Sequence, residues 1–403
     1  MSQVLIKDPR KETMVSLHEW RRALHTPHIY RVGNSALRIQ SPYRMFFFVA
    51  VILTILYWTH PWLRNTLCSG SISSSVRSLA PCHYRYYTYN KTYPLTPPIR
   101  TSTRVSYRIA IVSDLDHDSK STENKNMWFS MLKKGWLVWN FKNEISVSWD
   151  EDTTKLMSTL GMKGRGMELS ELVTFDGRLI TVEDRTGLVY FLENDKIYPW
   201  VILMDGDGKN TKGFKSEWAT VKNEQLYIGS MGKEWTTSSG VFENHNPQWV
   251  KVVSPLGETH SLNWISNYKR LRQTIDIEFP GYMIHESAAW SDVHNCWFFL
   301  PRRCSKERYN ETLDELLGCN VLLIADENFV NVEAKRVGTL IPTRGYSSFK
   351  FLPGSKDSII VALKSEENQG QMATYITAFT IDGVILMLDS KIIDKKFEGL
   401  EFI

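Results

Sequence analysis

Between Lys163 and Glu193 the chain gathers Arg165, Glu168, Ser170, Glu171, Asp184 and Arg185 into two expected strands and their turns, beside Gly164 and Gly166. Charges of both signs inside an otherwise apolar pattern suit a charged ligand, and the glycines let it approach the backbone. Further polar residues in strand-like or aromatic contexts follow Ser170 at Glu217, Glu286, Ser347 and Glu398, with gaps of 47, 69, 61 and 51 residues. Brought to one axis, five oxygen-bearing side chains make a hard-cation site. Three carboxylates with hydroxyl oxygens suit Ca2+, which takes about six to eight oxygen ligands. Zinc would want His or Cys, and no CxxC or Cys/His cluster is present. The DGDGKNTKG stretch at 205–213 begins like an EF-hand loop, but Ser216 stands where its glutamate belongs.

The elements that must position these residues are short. From Ser106 onward, runs such as YRIAIVSD, RLITVED, QLYIGSM, CWFFLP and SIIVALK are rich in Val, Ile, Tyr, Phe and Trp. FDGRL, DRTGL, NEQL and IDGVI supply turns between such runs. Helical periodicity is scarce, with SLNWISNYKRLRQ over 261–273 the best candidate. Regular short strands over about 300 residues point to a sandwich, barrel or propeller. Five propeller blades account best for that length, and a propeller's innermost strands each offer a residue to a central channel. The expected fold is therefore an all-β, five-bladed propeller with a central calcium site over 105–403.

Composition and charge bound the rest. The 403 residues are 42% hydrophobic and 12% aromatic, enough for a large core. The formal charge is +4, but residues 1–44 alone carry +5, so the main domain has no basic footprint for a nucleic-acid polymer. Behind that basic tail, MFFFVAVILTILYW and its flanks over 45–62 reach roughly 20 positions, the length of a spanning helix. The expectation is a type II transmembrane signal anchor, with the tail cytosolic and everything after it luminal. Residues 63–104, rich in Ser, Thr and Pro, read as a stem. Sequons at Asn90 and Asn310 agree with a luminal domain. Five cysteines leave at least one unpaired within the chain, and their connectivity is open.

SDLD at 113–116, KGRGMELSEL at 163–172, PWVILMDGDG at 199–208, KGFKSEWATVK at 212–222, GKEWTT at 232–237, GYMIHESAAWSD at 281–292, FFLPRR at 298–303 and the terminal EGLEFI closely resemble the calcium-activated nucleotidase family of apyrases. The resemblance spans roughly 105–403. It implies hydrolysis of nucleoside diphosphates, UDP and GDP above ADP, to monophosphate and phosphate. It puts the family's Ca2+ ligands on Ser170, Glu217, Glu286, Ser347 and Glu398, with Glu171 a sixth. It also implies an ER/Golgi setting, a role in glycosylation and proteoglycan synthesis, and a homodimer or a cleaved, secreted form as open possibilities.

Charge then suggests roles. Arg165, with Arg185 or Arg302, suits a guanidinium clamp on phosphate, and Asp114 and Asp116 suit orienting or deprotonating water. Glu168 and Asp184 are candidate substrate contacts, with a hairpin-turn role equally open to Asp184. Trp235 suits stacking on a base, with Thr236 hydrogen-bonding it. His285 reads as a satisfied structural histidine rather than a base. A calcium-centred propeller lactonase or esterase, or a non-catalytic luminal calcium-binding scaffold, would share the architecture.

Overall fold

The computed structural model describes residues 29–32, 35–38, 49–52, 54, 87–141 and 144–403. They fall into two units divided after Tyr86. In the first, Ile29–Val32 pairs antiparallel with Ser35–Arg38, and residues 49–52 and 54 are helical. Among the described residues no helix is long and apolar enough to cross a membrane. Most of the anchor expected over 45–62, with Cys68 and Cys82, lies outside the described residues.

The second unit is a ring of five antiparallel sheets. Blade I holds β4 (Leu169–Phe175), β5 (Arg178–Glu183), β6 (Leu188–Glu193) and β7 (Lys196–Ile202). Blade II holds β8 (Trp218–Lys222), β9 (Gln225–Gly229), β10 (Trp249–Val253) and β11 (Thr259–Asn263). Blade III holds β12 (Tyr282–Ser291), β13 (Cys296–Ser305), β14 (Val321–Asp326) and β15 (Val332–Arg336). Blade IV holds β16 (Arg344–Phe351), β17 (Ile359–Asn368), β18 (Gln371–Thr380) and β19 (Ile385–Ile393). Blade V closes the ring. Its innermost strand is the C-terminal β20 (Phe397–Phe402), paired to β1 (Arg104–Ser113), followed by β2 (Trp128–Asn140) and β3 (Glu144–Ser158).

The innermost strands β4, β8, β12, β16 and β20 touch in a closed ring. In blade V β2 alternates buried and partly buried residues over most of its length, whereas β4, β12 and β20 are buried throughout. One apolar core fills each joint between neighbouring blades; Trp218, Trp290, Trp297 and Phe299, for example, fill the joint of blades II and III. At roughly 2 kcal/mol per fully buried large side chain, such cores can offset the several-kcal/mol penalty of charges buried near the axis. The turns follow their chemistry: Asp176–Gly177 and Asn223–Glu224 both take positive φ, as two-residue hairpins require.

Two expectations change. Ser261–Asn263 belong to β11, which completes blade II by pairing with β10, so the helix is only Ile265–Gln273. The propeller unit also begins at Tyr87, inside the expected stem. There Tyr89 packs on Phe175 at 5.5 Å, the Asn90 N–H donates to Asp176 at 2.8 Å, and Tyr93 donates to Glu401 at 3.0 Å. Cys304 and Cys319 form a disulfide, and Cys296 is the free cysteine among the described residues.

Candidate active site and metal centre

The innermost strands break their pairing where the axial candidates stand. The β4–β5 ladder skips Ser170, β16–β17 skips Ser347, and β20–β1 skips Glu398. On β12 the interruption covers Glu286 and Ser287, and Glu217 lies immediately before β8. A bulge re-aims the side chain it carries, and the result is a set of incompletely satisfied oxygens. The Ser170 and Ser347 hydroxyls are buried without a hydrogen-bond partner among the described residues. One oxygen of each glutamate is held by a cation: Glu217 by Lys215, Glu286 by Arg302, and Glu398 by Arg302 at 3.0 Å and Lys396 at 3.4 Å. Among the described residues the second oxygen of each makes no hydrogen bond. Burial raises the Glu217 carboxyl to about 8 despite Lys215, with the charge of Glu286 adding to the rise. Glu398 is also raised by burial, and it too feels Glu286 across the channel.

Unpaired buried hydroxyls are costly, and so are like charges facing one another in a dry channel. A hard divalent cation coordinated by oxygens relieves both. The residues present therefore fit Ca2+ by donor type and by their unsatisfied atoms.

Glu171 and Arg302 are placed differently from their sequence-based roles. Glu171 is fully buried, and its carboxylate is engaged by Ser348 at 2.8 Å and Lys350 at 3.1 Å instead of standing free like the axial oxygens. The bulge at Ser170 breaks the alternation from which its direction would be judged. Arg302 is a buried brace whose donors reach Glu286, Glu398 and Glu367, the last at 3.0 Å.

Beside the axial oxygens lies a layer of forked ion pairs. Glu168 has no exposed side chain; it holds Arg165 Nε at 2.6 Å and Arg185 Nε at 2.8 Å. Asp184 accepts from Lys215 at 2.7 Å and lies 3.2 Å from Arg185. Asp114 accepts the Asp116 N–H and the Lys396 ammonium, each at 2.8 Å. Asp114, Glu168 and Asp184 place ligand atoms within 4.8 Å of one another. The cations around them make this group a holder of positive charge. Burial raises Asp114 in spite of Lys396; Asp116 is pushed up by burial too, yet with the charge and hydrogen bond of Lys396 opposing it the carboxyl ends below its ordinary value.

The channel mouth is marked by the partly exposed side chains of Asp116, Arg165, Arg185 and Glu367, at 29, 22, 31 and 27%. Arg165 donates to Asp116 at 2.9 Å, and the terminal nitrogens of Arg185 make no hydrogen bond among the described residues. Arginines anchored from behind, with donors left over, are built to grip an anion. Trp235 stands half-buried with the Lys212 ammonium 4.0 Å over its ring, and Thr236 accepts from Lys233 at 2.8 Å. Burial lowers the Lys212 ammonium, with the charges of Lys215 and Arg185 adding to the fall against the opposing pull of Asp205.

His285 is buried between Tyr268 and Phe299, but neither ring nitrogen has a partner among the described residues, so it is structural without being satisfied there. Burial depresses it to about 3, leaving it neutral. Gly166 serves packing, since a Cβ there would meet the Leu160 carbonyl at 2.6 Å. Asn90 and Asn310 are both exposed, Asn310 capping the short helix Glu311–Asp314. Sequence reasoning missed Lys215, Lys396 and Glu367. Lys215 and Lys396 each stand two residues before an axial glutamate, and that spacing is the signal that could have found them.

A family model described as Apyrase matches residues 115–403. Soluble calcium-activated nucleotidase 1 of Mus musculus is 55% identical over 398 residues, covering 96% of this chain and 98% of that protein. Its Rattus norvegicus counterpart is 54% identical over 320 residues, 79% of each chain. An apyrase of Cimex lectularius is 49% identical over 317 residues, 78% of this chain and 87% of that one.

Proposed function

The chain belongs to the apyrase family, and from that premise we propose that it is a calcium-dependent nucleoside diphosphatase of the secretory pathway, cleaving UDP and GDP to the monophosphate and phosphate. The observation that carries the reading is the pairing of unsatisfied axial oxygens with an adjoining layer of back-anchored cations.

Ser170, Glu217, Glu286, Ser347 and Glu398 would hold Ca2+. Bound there, it supplies Lewis-acid charge to phosphate oxygens. Everything else falls to the chain's own side chains. Arg165 and Arg185, fixed by Glu168, bind and orient the terminal phosphoryl group, whose loose transition state needs charge stabilisation more than covalent help. Asp116, the more exposed of the two aspartates, orients the attacking water and takes its proton. The water oxygen bonds to the terminal phosphorus, the bridging P–O bond breaks, and the monophosphate leaves with the bridging oxygen. Asp114 and Lys396 hold Asp116 in place from behind. Trp235 offers a stacking surface for the base.

The Cys304–Cys319 disulfide and the exposed sequons support an oxidising, luminal setting for a domain carried on an N-terminal signal anchor. There the enzyme would remove the UDP and GDP that glycosyl transfer leaves behind, and proteoglycan synthesis would depend on it. The test is phosphate release by the purified chain from UDP, GDP and ADP, beside hydrolysis of an aryl ester. Release from the diphosphates with no ester cleavage is expected. Ester cleavage alone would make it an esterase, and neither activity would make it a scaffold.

A further inference from the structure

The ring of blades closes inside blade V, where the C-terminal β20 pairs with β1. On its other edge, unpaired within its sheet, β20 meets the innermost strand β4 of blade I. Each strand hands a buried carboxylate to the other. Glu401 of β20 accepts the Thr174 N–H of β4 at 2.7 Å. Glu171 of β4 accepts the Leu400 N–H of β20 at 3.3 Å. Glu171 also accepts from Ser348 of β16 at 2.8 Å, and the same Ser348 hydroxyl lies 3.2 Å from the Leu400 N–H. Lys350 completes the tie at 3.1 Å.

The position of this tie gives it a consequence. Glu171, Ser348 and the Gly399–Leu400 step directly follow Ser170, Ser347 and Glu398, the residues at which three innermost strands skip their pairing. A bulge frees a residue from the ladder and with it the register that would fix its direction. The strands also approach closely at this level, since a Cβ on Gly399 would stand 2.6 Å from Glu171 and Leu172 backbone atoms.

We propose that Glu171 is a positioning residue for the axial cation site, its carboxylate setting the spacing of Ser170, Ser347 and Glu398 by tying β4, β16 and β20 immediately behind them. The inference rests on the reading of those residues as a Ca2+ site. A supporting residue of this kind is worth about 10- to 100-fold in metal affinity.

The experiment is Ca2+ titration calorimetry on the full chain, with denaturant unfolding run in parallel to confirm folding. Glu171→Leu removes every acceptor and should weaken Ca2+ binding by about 10- to 100-fold. Glu171→Gln keeps an acceptor oxygen for Leu400 and Ser348 and should bind within about threefold of the natural chain, a difference under about 0.7 kcal/mol. Ser348→Ala, which leaves Glu171 untouched, should weaken binding about tenfold and stands in if the leucine variant does not fold. If Gln binds as weakly as Leu, or Ser348→Ala binds normally, the carboxylate charge itself is what matters and the positioning role is overturned. Normal binding by Glu171→Leu would overturn it equally. A natural chain that binds no Ca2+ would overturn the site reading beneath it instead.

Discussion

Ser347 and Ser348 are neighbours in one strand, both fully buried, yet their hydroxyls should respond oppositely to removal. Among the described residues the Ser347 hydroxyl has no partner, whereas Ser348 is hydrogen-bonded to Glu171. An unpaired buried hydroxyl costs about 1–3 kcal/mol. In chelator, Ser347→Ala should therefore stabilise the propeller by about 1 kcal/mol, a rise of about 2 °C in Tm for a domain of this size. In Ca2+ the sign changes, because the variant has lost a ligand oxygen. A tenfold weaker site, about 1.4 kcal/mol, removes the same amount from the stabilisation that saturating Ca2+ confers. Thermal unfolding of the natural chain, Ser347→Ala and Ser348→Ala, each in EGTA and in Ca2+, reads both effects. Ser348→Ala should lower Tm in EGTA. A Ser347→Ala variant that is less stable in EGTA and keeps the full Ca2+-induced shift would refute the argument that its hydroxyl awaits a cation.

Other consequences concern the ion pairs around the axis. Glu168→Leu should leave Arg165 and Arg185 without their common anchor, and misplacement of the clamp by about 1 Å should reduce kcat/KM about 100-fold in steady-state assays of phosphate release. Lys396→Met strips Asp114 of its cation and leaves Glu398 to Arg302 alone; it should cost about 3–5 kcal/mol in denaturant titrations, since breaking a buried pair strands its partner. Cys304→Ser with Cys319→Ser opens a 15-residue loop. That should cost about 3 kcal/mol of stability in the same titrations while Glu286 and Arg302 stay in place.

Much of the blade architecture could be read from the chain because strands and turns are local. Asp176–Gly177 and Asn223–Glu224 announce their hairpins by residue type, and the spacing of Ser170, Glu217, Glu286, Ser347 and Glu398 follows the blades one by one. Side-chain direction was harder to read, because it depends on bulges that no local pattern encodes. Glu171 follows Ser170 yet turns to Ser348 and Lys350, and Arg302 turns inward to Glu286 and Glu398. Lys396 and Asp114 meet only when β20 returns from the far end of the chain to close blade V. The Cys304–Cys319 pairing likewise depends on how β13 and its following loop lie in space. The helix start was misplaced because Ser261–Asn263 continue a helical pattern while the sheet demands a fourth strand there.

The most direct test of the central claim is phosphate release from UDP by the purified chain as Ca2+ is titrated from EGTA-buffered zero. The account predicts activity that rises saturably with Ca2+, disappears in EGTA and is not restored by Mg2+ alone. Equal release with Mg2+, or with no divalent cation, would contradict it.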